Sequence, residues 1–218
     1  LEPRDEQGDE LGLEAGGVAG PLAGGKVDLT DTFDARAPIR IDGFTISDTG
    51  GQKRSLTVPE IFMYSSNIGA AREAEAVGVA GHRAFLSRIG LLARLETELP
   101  ETATPVQPRQ WQAVHSVTAS FGHGVATTPL QTAAAGAALM NGGYLVRPTF
   151  LARSRAEAEA VRVPVVSSRT SDEMRYLELA GQRQHDPMDG AAGIDLRHRP
   201  FMIATLGVHD ETKMRRFA

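Results

Sequence analysis

The run TTPLQTAAAGAALMNGG, residues 127–143, admits one backbone reading. Thr128 can cap a helix, Pro129 fits its first turn, and Gln131 stands where a capping box closes. Asn141-Gly142-Gly143 ends the helix, because those residues accept left-handed backbone at low cost. Leu130, Ala133, Ala134, Ala137 and Ala138 form a narrow stripe of small side chains. A helix with such a stripe must be approached closely by its neighbours. The sequence therefore specifies a tightly packed interior built on Ala, Val, Leu and Ile, which agrees with an aromatic content of only 6%.

Other segments carry equally local signals. APIRIDGFTISD, residues 37–48, alternates Ile39 and Ile41 with Phe44 and Ile46 around Asp42-Gly43, the pattern of a two-residue hairpin. Thr57, Pro59 and Glu60 predict a capped helix running from about Val58 to Ala76, with Ile61, Tyr64, Ile68 and Ala71 at helical spacing. HRAFLSRIG predicts a short helix, and YLVRPTF and PFMIATLGVHD predict strands. Thr170 and Glu173 predict a third capping box before another short helix. Residues 1–25, acidic and then rich in small residues, read as loop or linker, and the three prolines of 97–109 as an extended excursion. Antiparallel hairpins with several helices give an α+β class.

Composition removes several functions. The formal net charge is -4, so a nucleic-acid partner is not expected. There is no Cys, hence no thiolate chemistry, and no apolar run reaches the length of a membrane span. The six histidines show no paired metal-ligand spacing, and no Walker, GxGxxG or GxSxG pattern occurs, so neither metal nor cofactor is expected.

What remains is FMYSSNIGAA, residues 62–71. Ser and Asn compete with the backbone for hydrogen bonds and are mediocre helix-interior residues. The plain reading is a helix boundary or a satisfied polar patch. The sharper one is a site. Residues two apart cannot share a helix face, so Ser65 and Asn67 can act together only where the helix has just ended.

SSNIG followed by SFGHGVATTPLQTAAAGAALMNGGYLVRPTF resembles the transpeptidase domain of class B penicillin-binding proteins, in the division-associated type that crosslinks septal peptidoglycan. KVDLTDTFDARAPIRIDGFTISD looks like the segment after that family's nucleophile helix, and VVSSRTSDEMRYL like the stretch before its third motif. The likeness covers about residues 26–177. It implies a penicillin-binding, serine β-lactamase-like fold: an antiparallel sheet with flanking helices and a helical subdomain. It implies a serine D,D-transpeptidase that forms an acyl-enzyme without a cofactor. Ser65 would be the catalytic proton-relay serine and Asn67 the substrate-binding ligand of a stem-peptide amide, while Ser66 faces packing. Stem peptides, β-lactams and divisome proteins would be partners, on the periplasmic side of the inner membrane, with a membrane anchor outside this chain. A β-lactamase or β-lactam sensor would share the fold.

Two departures matter. The only lysines are Lys26, Lys53 and Lys213, preceded three residues earlier by Ala23, Gly50 and Asp210, so no SxxK exists; no KTG or KSG exists either. The places for these motifs fall near 17–26 and 178–193. A transpeptidase domain over 26–218 with segments missing at those two places is one reading. A non-catalytic scaffold module in cell-wall synthesis is the other.

Overall fold

The computed structural model describes residues 16–185. The PFMIATLGVHD strand and Asp186 lie outside them. Helix α1 covers 16–23, strands β1 Thr32–Asp34, β2 Ile39–Ile41, β3 Phe44–Ile46 and β4 Ser55–Thr57 follow, and then come α2 Val58–Met63, α3 Asn67–Val77 and α4 Val79–Arg88. The second half holds α5 Ala113–Ala119, α6 Pro129–Met140, β5 Tyr144–Leu145, α7 Arg155–Val161, β6 Val163–Pro164 and α8 Ser168–His185. Every strand pairing among the described residues is antiparallel: β1 with β4, β2 with β3, and β5 with β6. The architecture is α+β, with helices flanking short antiparallel ribbons.

The locally coded elements form as their residues dictate. Asp42 and Gly43 both take positive φ, 46° and 81°, which is the type I′ turn that matches strand twist. Thr57 and Glu60 close a reciprocal capping box at the start of α2. Thr128 accepts from the Gln131 amide and Pro129 takes the first turn of α6.

Several expectations are corrected. The helix expected from Val58 to Ala76 is two helices, interrupted over 64–66. The small residues of 16–23 are helical rather than loop, and Val18, Ala19 and Leu22 sit in the core. Their smallness permits contact: a Cβ on Gly17 would lie 2.1 Å from the Ser120 carbonyl oxygen, and one on Gly20 would lie 3.0 Å from the Phe85 ring. The Gln131 side chain does not complete a capping box. It is buried, and its Nε2 donates to the Gly90 and Ala93 carbonyls at 2.7 and 2.6 Å, bracing the chain after α4. Ser167, not Thr170, caps α8 by accepting from the Thr170 amide at 3.0 Å; Glu173 pairs with Arg169, and the helix is long and reaches His185. The YLVRPTF strand shortens to two residues.

Two apolar clusters organise the packing. The larger joins α1, α4, α6 and α8 through residues such as Leu22, Phe85, Leu86, Leu139, Met174 and Leu177. The smaller joins the β2–β3 hairpin to α2, α3 and α5 through Ile39, Ile46, Leu56, Ile61, Ile68 and Val117. Gly69 makes the α2–α3 contact possible, since a Cβ there would meet Ile61 at 2.5 Å.

Two ionisable groups are carried inside. Glu73 on α3 is fully buried, neither carboxyl oxygen has a hydrogen-bond partner among the described residues, and burial pushes it up to about 8. His82 on α4 is buried with Nδ1 2.8 Å from the Ser116 hydroxyl, and burial pulls it down to about 4. Their effects on stability have opposite signs. The folded state holds a proton on Glu73 that the unfolded chain releases above 4.5, so stability falls as pH rises from 4.5 to 8. The unfolded chain protonates His82 below 6.5 while the folded one does not, so stability falls as pH drops from 6.5 to 4. Between 4.5 and 6.5 the two slopes cancel; above 6.5 only Glu73 acts. Denaturant unfolding should therefore show a loss of up to about 2 kcal/mol between pH 6.5 and 8 that Glu73→Gln abolishes. An unchanged slope in Glu73→Gln would show that this carboxyl ionises freely in the fold.

Candidate active site

The interruption between α2 and α3 builds the site. Helix α2 ends in a Schellman turn: the Ser66 amide donates to the Ile61 carbonyl at 3.0 Å and the Ser65 amide to the Phe62 carbonyl at 3.3 Å. Ser65 takes the left-handed position of that turn, with φ 49°. Glycine ordinarily fills this position, because a Cβ is strained there. Ser65 therefore carries backbone strain that a glycine would not.

Helix α3 begins at once. Ser66, buried, is its N-cap, and its Oγ accepts from the Gly69 amide at 3.0 Å. The same hydroxyl donates to Asp48 Oδ2 at 2.7 Å, and Asp48 Oδ1 accepts from the Ile68 amide at 2.9 Å. Asn67 is half-buried at the first helical position, and its Nδ2 donates to the Ser47 carbonyl at 3.3 Å. Because α2 has stopped and α3 has changed direction, Ser65 and Asn67 are no longer bound by the angular rule of one helix.

Both line one small, shallow recess, together with Val18, Ile61, Phe62, Ser66, Ala70, Ser120 and Phe121. Ser65 is solvent-exposed. Ser66 contributes to the lining but is committed to capping, in line with its expected packing role. The opposite wall comes from α1 through Val18 and from the end of α5 through Ser120 and Phe121. Its closeness depends on the Gly17–Ser120 backbone approach already described. A second recess, lined by Asp48, Thr49, Gly50, Gln52, Met63 and Tyr64 among others, shares Ser65 and Ser66 as a common wall.

Ser65 carries a hydroxyl able to donate and accept, and Asn67 a carboxamide whose Nδ2 is engaged with the Ser47 carbonyl and whose carbonyl can accept. Lys26 and Lys53 are exposed and line neither recess. Among the described residues no group of three or more His, Asp or Glu is placed to hold a metal, and no helix is long and apolar enough to cross a membrane. Sequence reasoning finds Ser65, Ser66 and Asn67 but misses Asp48, Val18, Ser120 and Phe121. Their only link to the motif is tertiary, across 18 residues for Asp48 and Ser66.

Comparisons with known proteins identify the family. The model of the penicillin binding protein transpeptidase domain matches residues 22–187. The chain is 38% identical over 157 residues, 72% of its length, to a "Probable peptidoglycan D,D-transpeptidase FtsI" of Caulobacter vibrioides, of which it covers 26%. It is 26% identical over 169 residues, 77% of its length, to the peptidoglycan D,D-transpeptidase FtsI of Escherichia coli, of which it covers 27%. The chain thus spans about a quarter of the length of these curated relatives. In fold it is similar to the transpeptidase domain of penicillin-binding protein 3 from Burkholderia pseudomallei, with a TM-score of 0.70 and 24% identity over 78% of this chain and 52% of that one. The family match over most of the chain, the 38% identity to an FtsI relative and the shared fold lead to one conclusion: this chain belongs to the penicillin-binding protein transpeptidase domain family, in its class B, FtsI-like branch.

Proposed function

We propose that this domain works as a serine-type D,D-transpeptidase that crosslinks peptidoglycan stem peptides at the division septum and is acylated by penicillins. The observation that supports the reading is the break at 64–66, after which Ser65 and Asn67 both line one recess. In this reaction a serine Oγ bonds to the carbonyl carbon of the penultimate D-alanine. The bond to the terminal D-alanine breaks, and the departing nitrogen takes up the proton that the serine gave up. An amine of a second stem then attacks the ester, forms the crosslink and returns the proton to the serine. One amide is exchanged for another, so the balance closes without a cofactor.

Ser65 carries the proton between nucleophile and leaving nitrogen, and Asn67 holds a stem amide in register. Backbone amides stabilise the oxyanion. The nucleophile and its lysine, absent as SxxK from these 218 residues, would be presented by chain entering the recess from the α1 side, where Val18 stands. A transpeptidase domain that takes in α1 and lacks the SxxK and KTG segments belongs to the same proposal, as do a membrane anchor elsewhere in the protein, a periplasmic location at the inner membrane, and divisome partners. A specific observation favours a second reading: the absence of both SxxK and KTG is what a fold retained as a non-catalytic scaffold would show.

Incubation of the intact protein with a fluorescent penicillin, followed by peptide mapping, separates the two. The enzyme yields a covalent adduct on one serine. A folded, unlabelled protein supports the scaffold and contradicts the enzyme. A second test isolates the Ser65 hydroxyl. Ser65→Gly should hold stability or raise it by about 1 kcal/mol, because glycine accepts φ 49° without strain, yet slow acylation at least a hundredfold. Acylation at the unmutated rate would remove Ser65 from the mechanism.

A further inference from the structure

We propose that Asp48 is the positioning residue of this site; the inference rests on the reading of Ser65 and Asn67 as the substrate-facing pair. Asp48 belongs to the chain that leaves the β2–β3 hairpin, 18 residues before Ser66. Its carboxylate spans the start of α3 with both oxygens. Oδ2 accepts the Ser66 hydroxyl proton at 2.7 Å and Oδ1 accepts the Ile68 amide at 2.9 Å. The first bond has a directional consequence. With its proton committed to Asp48, the Ser66 hydroxyl must turn a lone pair toward the Gly69 amide, which it meets at 3.0 Å. One carboxylate therefore satisfies two of the orphan donors of the helix, one directly and one through Ser66. A negative charge at this end also suits the helix dipole.

The neighbouring residue completes the clamp. The Ser47 carbonyl accepts from Asn67 Nδ2 at 3.3 Å, so the same dipeptide that fixes the backbone of the turn also turns the carboxamide. The loop is itself folded tightly onto the carboxylate: a Cβ on Gly51 would lie 2.7 Å from the Asp48 Cβ. Ser65 and Asn67 flank the residue that Asp48 holds. Their positions relative to each other follow from where Ser66 is pinned. Asp48 touches neither reacting atoms nor the first recess; it acts through Ser66, Ile68 and the chain it anchors.

The test combines hydrogen exchange with ligand binding. The intact protein, Asp48→Ala and Asp48→Asn are compared by amide exchange at Ile68 and Gly69, and by affinity for an N-acylated peptide ending in D-Ala-D-Ala. Asp48→Ala should speed exchange at those two amides about tenfold, leave the α6 amides unchanged, and weaken the peptide about tenfold. Asp48→Asn, which keeps an acceptor for Ile68 and a polar group against Ser66, should restore most of both. Unchanged exchange and affinity in Asp48→Ala overturn the proposal. Faster exchange with unchanged affinity also overturns it, because Asp48 is then only a structural cap. If Asp48→Ala loses protection throughout the molecule, Asp48→Glu carries the test. It keeps the charge but shifts the carboxylate by one methylene, and behaviour identical to the unmutated protein overturns the proposal. Failure of the unmutated protein to bind the peptide is a separate outcome: it removes the substrate-site reading, and the positioning role falls with it.

Discussion

The structure turns on the way one helix stops and the next starts within three residues. The Schellman turn of α2 uses Ser65 at its left-handed position and Ser66 for its last carbonyl contact. Ser66 then serves as the N-cap of α3. A residue that finishes one helix and opens another leaves no slack, so the direction of α3, and with it Asn67, is set by the same few hydrogen bonds. Had the helix continued, Ser65 and Asn67 would point roughly 200° apart around one axis, and no ligand could touch both.

That turn is useful only because other elements crowd it. Gly69 lets α3 lie against Ile61 of α2, and Gly17 lets α1 approach the Ser120 carbonyl at the far wall. Both contacts place backbone or aliphatic atoms where any larger residue would force separation. The small-residue segments thus narrow the recess while larger side chains elsewhere supply hydrophobic stabilisation. The same helix α3 carries a cost in Glu73, buried without a partner among the described residues. A neutral carboxyl still forfeits its hydrogen bonds with water, and no hydrogen bond from a described residue offsets that loss.

The parts of the fold legible in the sequence are those whose causes lie within five or six residues. Asp42-Gly43 makes its hairpin, Thr57 with Glu60 makes its capping box, and Thr128 with Pro129 starts α6, each by local chemistry. Reasoning fails where tertiary contacts decide. Ile61, Tyr64, Ile68 and Ala71 keep helical spacing straight across the break, so periodicity conceals it. Gln131 is drawn from a local cap to the carbonyls of Gly90 and Ala93, some forty residues away. GGVAGPLA reads as loop by composition and becomes a core helix because its neighbours need small surfaces. For the site, the serine pair and the asparagine are visible as misfits in an apolar segment. Asp48, Val18 and Phe121 carry no such mark, and only the fold brings them to the turn.

Under the proposed function, Ser65 and Asn67 face one stem-peptide substrate together. The most direct measurement is a nitrogen-edited NMR titration of the isotope-labelled chain with an N-acylated D-Ala-D-Ala peptide. Shifts in the Asn67 side-chain amide and in the backbone amides of Ser65 and Phe121, saturating with one common affinity, are the predicted result. Saturable shifts confined to other parts of the molecule, with these three signals unmoved, would contradict the account.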